Sequence, residues 1–249
     1  MSRALRSLAL AAGCAVAALC VALAVDLLPV LREPWRTPSL QAAAYHQHQL
    51  RARLELELLA ALGSSAADRA IAEATLDGRA GPVEQALPHL RRAAARGDAA
   101  ARLTLGKALV EGRGGLARDP DEARLWLEPA ARQGDARAAY WLGVLLRSAE
   151  GGRRFAEAAR WLERSAAAGL PAAQFLLGNA CRDGEGVPAD PGMALAWWEA
   201  AAEAEDAEAL QALAQAWREG GLGLPRDEAR AATYLAELQH AVMHPLPRP

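Results

Sequence analysis

Residues 111–134 read "EGRGGLARDPDEARLWLEPAARQG": a glycine-rich turn, an Asp-Pro step, a Trp-bearing amphipathic stretch and a closing glycine. Close variants return as "DGEGVPADPGMALAWWEAAAEAE" at 183–205 and "EGGLGLPRDEARAATYLAEL" at 219–238. Recurrence at a fixed spacing makes this stretch one period of a stacking module, and internal periods of this size are the mark of repeat architectures.

The period can be measured from a second marker. Leu105-Gly106, Leu142-Gly143, Leu177-Gly178 and the variant Leu213-Ala214 follow one another at steps of 37, 35 and 36 residues. Four residues before each Leu stands an alanine: Ala101, Ala138, Ala173 and Ala209. An Ala and a Leu four apart share one helical face, and the small residues beside them let a neighbouring backbone approach. A large aromatic follows about 21 residues after each Leu, at Trp126, Trp161, Trp197 and Tyr234, where it is expected to pack between helices as the large core residue. A blurred unit precedes these, with Ile71-Ala72 and His89 at the marker positions.

Each period therefore reads as two helices. Asp119-Pro120 and Asp190-Pro191 announce the second, with Asp as N-cap, Pro as first helical residue and Glu122 completing a capping box. Gly97, Gly134 and Gly169 end it. The third period, "RSAEGGRRFAEAARWL", lacks both the Gly-x-Gly spacing and the Asp cap, so its loop is expected to be reshaped. Alanine abundance and the scarcity of Val/Ile/Thr-rich runs exclude a β fold. The expected organisation is an all-α, right-handed α-solenoid of helix-turn-helix units at about 64–97, 98–134, 135–169, 170–205 and 206–240, after a helix at 40–63 and before a tail at 241–249.

The pattern (A-x-x-x-L-G, then G-x-G-[VL]-x-x-D, then A-x-x-W-x-x-x-A-A-x-x-G) resembles the Sel1-like repeat family, relatives of the tetratricopeptide repeat. The resemblance covers about residues 65–240 and implies an α-solenoid acting as an adaptor or scaffold for protein complexes. Some family members carry a disulfide in each repeat. Of the three cysteines here, Cys14 and Cys20 lie in the N-terminal apolar run, and Cys181 has no partner in its own unit. That subgroup's chemistry does not transfer.

The N-terminus carries Arg3 and Arg6, then runs uncharged from Leu8 to Val25. As a helix this run spans about 27 Å, close to the hydrocarbon thickness of a bilayer. Basic residues ahead of it keep the N-terminus cytoplasmic and send the remainder across. Residues 1–27 are thus a signal-anchor placing the repeat domain in the periplasm on a single inner-membrane span, or a signal peptide cut after Ala24 that leaves it soluble. Residues 28–39 carry three prolines and read as a stiff linker.

Composition narrows function. With 52% hydrophobic and 23% charged residues and a net charge of −2, the chain has no nucleic-acid footprint. No phosphate loop, nucleophile elbow or zinc-protease signature occurs. His46 and His48 lie on different faces of a helix, so they do not pair on a metal. His89 and His240 fall in second helices, Cys181 reads as a small buried residue, and no cofactor or metal site is expected. What remains is the face of the first helices opposite the Ala/Leu stripe. Leu103, Tyr140, Phe175 and Gln211 form one row, Lys107, Val144, Asn179 and Gln215 a second, and Val110, Arg147, Arg182 and Arg218 a third. Aromatics, amides and arginines in register suit a groove for a protein or peptide segment. The expected partner-binding residues are Lys107, Tyr140, Arg147, Phe175, Asn179, Arg182, Gln215 and Arg218. The expected function is a non-enzymatic scaffold of the bacterial envelope, with an envelope hydrolase or peptidoglycan-binding protein as the alternative.

Overall fold

The structure is a computed structural model that describes residues 50–77, 85–112, 116–148 and 154–243. The N-terminal apolar stretch, the proline-rich linker, the first residues of the 40–63 helix, His46, His48 and residues 244–249 lie outside the described residues. Among the described residues there is no strand, and no helix is long and apolar enough to cross a membrane. The chain divides into two units, Met1–Arg102 and Leu103–Pro249.

In the first unit, α1 (Leu50–Ala61), α2 (Ser65–Leu76) and α3 (Ala86–Ala95) pack in sequence order. The apolar face of α1 (Leu56, Leu59, Ala60) is buried, as are Ala67, Ala70, Ile71 and Ala74 of α2 and Leu90, Ala93 and Ala94 of α3. Gly63 at φ +98° reverses the chain, and the Ser64 hydroxyl accepts a hydrogen bond from the Ala67 N–H at 3.2 Å to start α2. The unit ends in the opening residues of α4 (Ala99–Glu111).

The second unit continues α4 and adds α5 (Pro120–Arg132), α6 (Ala136–Ser148), α7 (Phe155–Ala167), α8 (Pro171–Asp183), α9 (Pro191–Glu203), α10 (Ala207–Glu219) and α11 (Glu228–Met243). From α5 to α11 successive helices pack on one another, so the unit is a helical-repeat solenoid. The Ala/Leu stripe is its spine: Ala138, Leu142, Ala173, Leu177, Ala209 and Leu213 are all buried, as is Leu105 of α4.

Two kinds of turn recur. Where a second helix gives way to the next first helix, the chain passes through a left-handed residue at Gly97, Gly134, Gly169 and Glu205. The next backbone N–H then returns to a carbonyl five residues earlier, as in Asp135 to Ala130 and Asp206 to Ala201. Asp98, Asp135 and Asp206 cap the following first helix, accepting from Ala101, Ala138 and Ala209 at 2.9 to 3.0 Å. The repeat pattern marks only the closing glycine, and the Asp cap that follows it emerges from the structure.

Inside each repeat, the residue capping the second helix donates its own N–H back to the end of the first. Asp119 bonds Leu109, Arg154 bonds Leu146, Asp190 bonds Cys181 and Asp227 bonds Trp217, at 2.8 to 3.2 Å. Asp119 and Asp190 accept from Glu122 and Met193 as expected. The capping box at Glu122 does not close. The Asp119 N–H is committed to Leu109, and the Glu122 carboxylate accepts from the Trp126 indole at 3.3 Å instead. Arg154, at the same position of α7, makes no side-chain cap, as the missing Asp predicts.

The marker aromatics are not the large core residues that the sequence pattern predicts. Trp126, Trp161, Trp197 and Tyr234 are half-buried, whereas the core position is the residue after each: Leu127 and Leu162 at 0% exposure and Trp198 at 3%. The reason is geometric. Leu127, Leu162 and Trp198 point at Gly106, Gly143 and Gly178 of the preceding first helix, and one residue earlier is turned about 100° away. In the last repeat the same position, Leu235, remains 37% exposed.

Candidate functional site

The first-helix face of the second unit begins at Lys107. Its Nζ stands 5.2 Å from the ring centroid of Trp141 on α6, a cation–π contact between successive first helices. Tyr140 meets the same indole edge-on, with centroids 5.2 Å apart and planes at 76°. It packs against the cluster of Leu162, Ala173 and Leu177. Burial raises the Tyr140 phenol above its ordinary value, and the carboxylates of Glu208, Asp206 and Glu111 raise it further. Carboxylates at the start of α10, Glu208 and the capping Asp206, thus act on a side chain of α6, two repeats away.

On α8, Phe175 packs against Trp198, ring centroids 6.4 Å apart, and joins the cluster of Trp198, Leu213 and Ala216. The Arg182 guanidinium stands over the same indole, 5.6 Å from its ring centroid, and forms a two-armed pair with Asp183, both bonds at 2.7 Å. That pair, with Arg147 adding to it, holds the Asp183 carboxyl below the usual range. Arg147 itself reaches Glu185 at 3.0 Å. Asn179, half-buried on the same helix as Phe175 and Arg182, places its Oδ1 in the interior without a hydrogen-bond partner among the described residues. Gln215 donates to Glu219 at 3.1 Å, and Arg218 is exposed.

The structure thus joins Lys107 to Tyr140 through Trp141, and Phe175 to Arg182 through Trp198. Each indole stands one residue from a repeat marker, Trp141 beside Leu142 and Trp198 beside Trp197. Two positions of the predicted rows drop out, because Leu103 and Val110 are buried. Cys181 is buried as expected, and burial pushes its thiol up, with Asp190 and Glu163 adding to the effect.

Two features lie elsewhere. In the first unit, Asp68 of α2 is 0% exposed and its carboxylate is gripped from α3 by Arg92 at 2.8 Å, by His89 Nδ1 at 2.8 Å, and by Arg96 at the helix end. A fully buried carboxylate is tolerated only when paired and hydrogen-bonded in this way, so the cluster binds α2 to α3. In the second unit, a cleft of about 720 Å³ opens between α9, α10 and α11. Glu199, Glu203, Glu205, Tyr234, Glu237 and His240 are on its walls, and it contains none of the predicted partner-binding residues. Among the described residues no group of three or more His, Cys, Asp or Glu side chains is placed to hold a metal ion.

A family model described as Sel1 repeat matches residues 99–135, 136–170, 171–206 and 207–237, more than half of the chain. The chain belongs to the Sel1 repeat family. The blurred unit at 64–97 lies outside the matched residues. Solved structures similar to this Sel1 repeat protein include the following two. One is a protective antigen present in uropathogenic Escherichia coli strains displaying an SLR fold, with 30% identity over 77% of this chain and a TM-score of 0.68. This chain covers 41% of that antigen's length. The other is a Sel1 repeat protein from Oxalobacter formigenes, 24% identical, with 77% of this chain and 79% of that chain covered and a TM-score of 0.66. A search of the curated proteins finds no match.

Proposed function

We propose that this Sel1 repeat protein is a non-enzymatic adaptor that holds a segment of a partner protein along the first-helix face of its second unit. The observation that carries this reading is a set of aromatic contacts made by first-helix side chains, one part joining the first helices α4 and α6 and the other joining α8 to the second helix α9. Lys107, Trp141 and Tyr140 form its first part, and Phe175 and Arg182 meet on Trp198 in its second. Amides at Asn179, Gln211 and Gln215 and arginines at Arg147 and Arg218 extend the same face. Rigid aromatics flanked by amides and arginines are the residue types that concentrate binding energy at protein interfaces. Membership of a family whose repeats serve as protein–protein interaction modules supports the same reading.

A photo-crosslinking residue placed at exposed Gln211 or Gln215 tests the proposal. The expected product is a specific protein adduct from these sites and none from Leu125, which is exposed on α5. Adducts formed only from Leu125 would overturn it. Substituting Gln215, Arg218 and Arg182 together with alanine is expected to weaken the adduct while leaving the helical signal unchanged, since all three side chains are exposed.

The site of action is proposed to be the bacterial envelope, with the repeat domain on the periplasmic side. This rests on the uncharged run Leu8–Val25 behind Arg3 and Arg6. Alkaline phosphatase fused after Met243 would be active if that is so, and inactive if the repeats face the cytoplasm. The mass of the protein recovered from membranes distinguishes a retained anchor from a cleaved signal peptide.

A further inference from the structure

We draw no further inference here: the strongest candidate, the cleft between α9, α10 and α11 carrying Glu199, Glu203, Glu205 and Glu237, is an acidic cluster for which nothing else in the structure identifies a ligand.

Discussion

Gly178 of α8 and Trp198 of α9 occupy one space. A Cβ built on that glycine would stand 2.5 Å from the indole Cδ1, 2.7 Å from its Nε1 and 3.1 Å from the Ala194 carbonyl oxygen. Neither a buried indole nor a helix backbone can retreat cheaply in a close-packed interior. Glycine inside a helix ordinarily costs about 1 kcal/mol relative to alanine, and here overpacking reverses the sign. Gly178→Ala is therefore expected to lower stability by about 1–3 kcal/mol, read as the urea midpoint at unchanged slope. Gly143→Ala should act in the same direction, because its Cβ would meet Leu162 Cγ at 2.7 Å. A stabilised Gly178→Ala variant would contradict the packing described.

Glu205 sits at φ +57°, where the preceding repeats place Gly97, Gly134 and Gly169. A residue with a side chain is strained in this left-handed turn, and glycine is not. Glu205→Gly is expected to stabilise the protein by about 0.5–1 kcal/mol, net of the entropy glycine adds to the unfolded chain. Calorimetry should show a rise in Tm of roughly 1–4 °C. An unchanged or lower Tm would show that this turn relaxes without strain.

Asp68→Ala removes the centre of the α2–α3 cluster and leaves three cationic or polar side chains facing one another. Breaking a wholly buried pair costs about 3–5 kcal/mol, but Arg92 and Arg96 are partly in water. The expected loss is about 2–3 kcal/mol, with faster amide hydrogen exchange in α2 and α3. Asp68→Asn, which keeps the shape and one acceptor, should lose less.

For Tyr140 the raised phenol pKa fixes the sign of an alkaline effect. The folded state favours the neutral ring, so its contribution is fully present below the unfolded value near 10 and is lost as pH rises through the higher folded value. Tyr140→Phe is expected to flatten the fall in thermal stability between about pH 9 and 11. Tyr234, raised by burial and by Glu199 and Glu237, should contribute in the same direction. Equal alkaline sensitivity in wild type and Tyr140→Phe would rule out this contribution.

Cys181 combines burial with a thiol pKa pushed up, both of which keep the reactive thiolate scarce. Alkylation by iodoacetamide at pH 7.5, followed on the peptide containing Cys181, is expected to be slow in the folded protein and fast in urea. Rapid labelling without denaturant would place the sulfur at the surface.

The repeat was legible because it is built from local signals. An Ala and a Leu four apart, an Asp-Pro start and a glycine stop each act within a single helix or turn. The difference between Trp126 and Leu127 was not legible. Both are large and apolar, adjacent on the same helix, and only the position of Gly106 on the neighbouring helix selects the inner one. The candidate face followed the same division. Tyr140 and Phe175 could be placed by counting from the Leu-Gly marker, but the indoles that join them to Lys107 and Arg182 could not. Asp68 carries no local signal, because its partners lie 21, 24 and 28 residues further along, in the repeat whose markers are least clear.

By itself the sequence determined the period, the helical pairs and the register of the buried Ala/Leu stripe, because backbone hydrogen bonding and capping act over a few residues. Which aromatic is buried, which carboxylate is gripped and which indoles receive the cation–π contacts were decided by tertiary packing. Those outcomes depend on the rotation of each helix about its axis, and that rotation is set by the shape of the next helix in the stack.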